Sequence, residues 1–234
     1  MDTLLNREIQ EKPTNLSKLN VIIHPLYRSE PFESKFANRF ATDRDSMSLN
    51  ITRRMMPTND HEATLVMPMV NRRGESDLKR NLERLKGFPE YTQWTDFYKE
   101  LVKANGGRGK NIILGTDLIS DETKWAPDVD SIKQDLLKRK MIITSETEVV
   151  VGGELLNACL FEGVQKLLSL SEIDKLKVDK KCVLTTSYLF DSPHESVESD
   201  LSLFVWQVEK SGLKIESNDE YYTISTNKVL NSYH

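Results

Sequence analysis

Cys159 is the residue in this 234-residue sequence whose neighbours could change its chemistry most. It follows a β-branched run, Glu148-Val149-Val150-Val151, and a glycine pair, Gly152-Gly153, and it begins an apolar stretch ending at Leu168. That order reads as strand, glycine turn and helix. If Asn157 caps the helix, the thiol sits in its first turn, where unpaired backbone N–H groups and the positive end of the dipole favour a thiolate. Amides around Gly153, Asn157 and Ala158 would then be the candidates to hold an oxyanion or substrate during acyl transfer. A plainer role fits the same residues. Leu156, Leu160, Phe161 and Val164 surround the cysteine with core side chains, and a free cysteine commonly behaves as a small hydrophobe.

The elements that must position this thiol follow from hydrophobic patterning. Short apolar, β-branched runs at 19–26, 63–70, 111–116, 148–152, 182–190 and 221–226 read as strands. Helical periodicity appears at 132–140, from Cys159 to Leu168, and at 199–210. Leu78, Leu82 and Leu85, then Trp94, Phe97, Tyr98 and Leu101, add a helical insert over about 72–108. Strands alternating with helices predict α/β class: a three-layer α/β/α domain with a mostly parallel, Rossmann-like sheet of about six strands. Residues 1–18 are polar and aperiodic and read as an N-terminal arm, with 19–234 as a single domain. In such a fold, ligands gather where strand carboxyl ends meet helix amino termini. This singles out His24, Asn71, Thr116, Asp117, the segment from Gly152 to Cys159, and Asp191.

Composition sets bounds on partners. A net charge of −4 supplies no overall basic field, so nucleic acid is not the expected partner. The sequence has no apolar run of membrane-spanning length and no signal-peptide pattern at its start, so no membrane association and a cytoplasmic location are expected. The two cysteines, Cys159 and Cys182, fall on a helix and a strand and are expected to be separate thiols. His61, His194 and His234 have no metal-ligand spacing, and neither a metal nor a cofactor is expected. Gly106-Gly107-Arg108-Gly109-Lys110 precedes a strand and so reads as a helix stop, not a phosphate loop.

The stretch from Glu148 through Gly153 to Cys159 resembles the nucleophile segment of the isochorismatase-like cysteine hydrolases, the group that includes nicotinamidases and carbamoyl amidohydrolases. In that group the catalytic cysteine follows a glycine by six residues, as Cys159 follows Gly153. The order of elements after it, a helix, the strand from Cys182, Asp191 and the helix from Asp200, is similar over residues 142–215. The resemblance implies hydrolysis of a small-molecule amide, imide or related C–N bond through a Cys159 thioester, and a homo-oligomer. It also implies an aspartate at the end of the first strand and a lysine near the end of the third. Here His24 stands at the first position, while Asp117 ends the third strand with Lys124 beyond it. Two readings follow. His24 as general base, Asp117 as its orienter and Lys124 reaching in from a loop make a replacement set for Cys159. Alternatively, the fold is catalytically inactive and serves as a ligand-binding or protein-assembly module.

Overall fold

The computed structural model describes residues 12–23, 50–67, 111–114, 129–154, 156–184 and 193–226. His24, Asn71, Thr116, Asp117, Lys124, Asp191, the insert at 72–108 with Trp94, Phe97 and Tyr98, and the first eleven residues lie outside them.

Nine strands are described: β1 (Thr14–Asn15), β2 (Lys18–Ile23), β3 (Glu62–Met67), β4 (Ile112–Leu114), β5 (Met141–Ile142), β6 (Glu148–Glu154), β7 (Lys175–Leu184), β8 (Lys214–Ser217) and β9 (Tyr221–Ser225). The helices α1 (Val129–Lys138), α2 (Phe161–Leu168) and α3 (Pro193–Lys210) accompany them, and residues 50–54 are also helical. A seven-stranded sheet runs in the order β4-β3-β2-β6-β7-β9-β8. Its first five strands are parallel, while β9 and β8 join antiparallel. The chain is therefore an α/β protein with a mostly parallel sheet. β1 and β5 form a separate parallel pair, and Leu16 just beyond β1 is buried in the core, so the described end of the N-terminal arm is docked to the domain.

Burial along β2 explains its composition. Leu19 through Ile23 are all buried, the continuous pattern of a strand covered on both faces. Leu19, Val21 and Ile23 join one cluster with Leu65 and Met67 of β3, Val149 and Val151 of β6, and side chains of α1, α2 and α3. Ile22, Val66 and Val150 point the other way by the strand period of two, and they too are buried. On that second face lies the helical segment 50–54, and Thr64 Oγ1 donates to the carbonyl of Met55 just after it. This bond makes a polar residue tolerable in a buried strand.

Two expectations change. Gly152 and Gly153 do not form a turn after the strand; both lie within β6, which continues to Glu154. Their reason is close approach. Gly153 has φ +127°, and a Cβ there would collide with the Ile23 carbonyl and amide. A Cβ at Gly152 would stand 2.6 Å from both the Cys182 carbonyl and Met55 Sδ. Secondly, the strand expected from Cys182 already begins at Lys175, with Leu176 and Val178 buried between exposed or half-buried lysines. Val151 pairs with Val178 but Gly153 pairs with Val183, so β7 bulges between them. Inside the bulge Asp179 Oδ1 accepts the Lys181 amide at 2.8 Å.

Candidate functional site

Strand order locates the candidate site. From β2 the sheet grows through β3 and β4 on one side; from β6 it grows through β7 on the other. The direction of growth reverses between β2 and β6, whose carboxyl ends lie side by side, with Ile23 opposite Gly153. In open parallel sheets such a reversal leaves a crevice where ligands bind. Gly153 sets how closely the two strands approach there, because any side chain would strike Ile23.

From β6 the chain enters a π-turn, Leu156–Leu160, that continues into α2 without a break: Leu160 is right-handed helical at φ −69° and ψ −43°. Asn157, Ala158 and Cys159 all lie in this turn. The expected Asn157 cap is replaced by another role. No side chain caps α2, and Asn157 Nδ2 instead donates to Asp200 Oδ1 on α3 at 3.1 Å. One and two turns further along α3 come Phe204 and Gln207. Phe204 is fully buried, edge-on to Phe161 at 6.4 Å between centroids. Gln207 Nε2 donates to the Asn157 carbonyl at 3.1 Å. The second amide atoms, Asn157 Oδ1 and Gln207 Oε1, are buried without a hydrogen-bond donor.

Cys159 is 4% exposed and belongs to the main apolar cluster. Ala158, one residue earlier, is exposed. Neither cysteine is in a disulfide. Cys182 lies on the opposite face of the sheet, where burial first, and then the Asp179 carboxylate, push its thiol up to about 12. That side chain is held as a neutral thiol and is no candidate nucleophile.

Of the sequence candidates, the structure brings Gly153, Asn157, Ala158 and Cys159 together at the β6 end; His24, Asp117 and Lys124 lie outside the described residues. Comparison with protein-family models, with curated proteins and with solved structures gave no match. Among the described residues no group of histidine, cysteine, aspartate and glutamate side chains could hold a metal ion, and no helix is long and apolar enough to cross a membrane.

Sequence reasoning did not find Asp200 and Gln207. A signal existed: seven residues apart, they share the helix stripe of Phe204, so two polar groups stand on a face that otherwise enters the core. What could not be read from spacing is the π-turn, whose extra residue per turn has no compositional signature.

Proposed function

We propose that this chain is a three-layer α/β/α, Rossmann-like domain of the isochorismatase-like type, hydrolysing a small-molecule amide, imide or related C–N bond with Cys159 as nucleophile. The observation that carries the reading is the position of Cys159, six residues after Gly153 and just beyond the β6 end where strand growth reverses. The chemistry is acyl transfer. The Cys159 thiolate attacks the carbonyl carbon, the C–N bond breaks as the nitrogen takes a proton and leaves as amine or ammonia, and water cleaves the thioester to a carboxylate and the thiol. His24 is the sequence candidate for the base, Asp117 for its orienter, and Lys124 for a cation at the developing negative charge. The amide of Ala158, at an exposed position of the π-turn, is the foremost oxyanion donor.

A second reading, an inactive fold serving as a ligand-binding or assembly module, is favoured by one observation: the thiol lies in the apolar cluster and is nearly inaccessible. Burial in apolar surroundings disfavours a thiolate. Iodoacetamide labelling at about pH 6.5, where an ordinary thiol is almost wholly protonated, separates the two. The hydrolase reading expects Cys159 to label faster than the same cysteine in the urea-unfolded chain, and Cys159→Ala to abolish ammonia release from a panel of small primary amides. Labelling no faster than in the unfolded chain, with no ammonia released, sinks it and leaves the inactive module.

A further inference from the structure

A helix that passes from five-residue to four-residue hydrogen-bond spacing has one carbonyl too many. The backbone cannot supply its donor, and the shortfall arises within the π-turn that carries Cys159. In this chain a side chain from another helix reaches into that turn: Gln207 Nε2 donates to the Asn157 carbonyl at 3.1 Å. A second link joins the same residue to the same helix, from Asn157 Nδ2 to Asp200 Oδ1 at 3.1 Å. Asn157 is therefore held by its main chain and its side chain at once, from two positions two turns apart on α3. Between them, Phe204 fills the interface against Phe161, the first residue of α2.

We infer that Gln207 and Asp200 are positioning residues, which keep the π-turn from closing into an ordinary α-turn and thereby set where the Cys159 thiol lies. The inference deepens the reading of Cys159 as nucleophile and rests on it. Closing the turn would rotate the helix start against α2 by up to about 100°, the angle of one helical residue. β6 cannot follow, because Gly153 is pinned against the Ile23 backbone. The misfit must then fall on the short connection that carries Cys159. The arrangement is also costly to keep: both amide oxygens are buried without donors, which natural cores generally avoid. Gln207→Met would remove one of those orphaned oxygens together with the bond to Asn157. Its effect on overall stability should largely cancel, while its effect on the turn should not. That separation distinguishes positioning from mere support.

The test is site-resolved iodoacetamide labelling of Cys159 in the full chain, followed by peptide mass spectrometry from about pH 6 to 9.5. The parent is compared with Gln207→Met, Asp200→Leu and Asp200→Asn. Gln207→Met and Asp200→Leu should change the Cys159 labelling rate by about tenfold or more and displace the midpoint of its pH profile. Gln207→Met should do so with a melting temperature within about 3 °C of the parent. Asp200→Asn still offers an acceptor to Asn157 and should stay within about threefold. Rates and midpoints unchanged in Gln207→Met, or Asp200→Asn behaving like Asp200→Leu, overturn the inference. Should the altered chains fail to fold, hydrogen exchange on the parent decides: the amides of Leu160 and Phe161, which close a π-turn over 156–160, should be protected like those of α2, and loop-like exchange at these two overturns the proposal. If Cys159 of the parent titrates as an ordinary thiol yet Gln207→Met still displaces its profile, the nucleophile reading fails and the positioning role stands.

Discussion

Gly153→Ala should be among the most destabilising single substitutions in this sheet, and its magnitude follows from two separate contributions. At φ +127° an L-residue occupies a backbone region that costs about 1–3 kcal/mol. The new Cβ also meets the carbonyl, amide nitrogen and carbonyl carbon of Ile23. These are backbone atoms of a central strand paired on both sides, so they cannot swing away, and overpacking of this kind adds about 1–3 kcal/mol. Together they give about 4 kcal/mol, a large share of the 5–15 kcal/mol that typically holds a domain together. Gly163→Ala is the control. There the Cβ meets only the end of the flexible Ile23 side chain, and the alanine regains about 1 kcal/mol of helix propensity, so the net change should be within about 1 kcal/mol. Urea denaturation of both variants measures the difference, and thermal melting should show Gly153→Ala lowered by about 8–16 °C. A Gly153→Ala chain within about 1 kcal/mol of the parent would refute the claim that this glycine sets the approach of β2 and β6.

Two further outcomes follow from the cores on either side of the sheet. Cys182 has its thiol pushed from 9.0 up to about 12 in the folded chain; between those values the unfolded chain gives up the proton and the folded chain keeps it, so stability must fall as pH rises, by up to about 4 kcal/mol at three pKa units. Urea titrations from pH 8 upward should therefore show a shallower decline for Cys182→Ala, with a remainder from Tyr222, whose phenol burial also pushes up; equal slopes would show that Cys182 is not the titrating group. On α3, Phe204→Ala should cost about 3–5 kcal/mol because the ring is fully buried against Phe161 and Tyr222. Trp206→Ala, at 52% exposure with the Lys210 ammonium stacked over its ring at 4.4 Å, should cost no more than about 1 kcal/mol; similar losses in denaturant midpoint would contradict the orientation of this helix.

The strands that the sequence revealed are those whose side chains had no alternative to burial. β2 and β3 are mostly apolar, and buried after their first residue, because both their faces are covered, and β6 is legible for the same reason. β7 was only half legible. Its first half alternates Leu176 and Val178 with lysines, and the bulge at Asp179 breaks the period before Cys182 restores it. β8 is an edge strand with mostly exposed residues, so its sequence carries almost no hydrophobic signal. At the candidate site, the Gly153-to-Cys159 spacing was visible but its meaning was not. Two glycines beside a strand suggest a turn, whereas here they permit close packing inside it, which depends on what lies in the neighbouring strand. Asn157 likewise has the residue type of a helix cap, yet α3, more than thirty positions later in the chain, captures its side chain.

The two cysteines supply an internal comparison that bears directly on the activity of the site. Both are buried, on opposite faces of one sheet, so global unfolding exposes them together and would label them at similar rates. In the folded chain they differ in kind. Cys182 is held in a strand beside Asp179, and with its thiol pushed up to about 12 it carries about a thousandfold less thiolate near neutral pH than a thiol at the reference value of 9.0. Cys159 stands in the opening turn of a helix, where backbone amides supply partial positive charge. The ratio of their labelling rates under native conditions therefore reports on the native state rather than on rare unfolding. A ratio near one would mean that alkylation reaches both only through unfolded chains, and Cys159 would then be a core residue like its neighbours Leu156 and Leu160. A ratio far above one, persisting at denaturant concentrations too low to populate the unfolded chain, requires that the π-turn present the thiol from within the folded domain. Only in that case does the crevice between β2 and β6 hold a nucleophile that a substrate can reach.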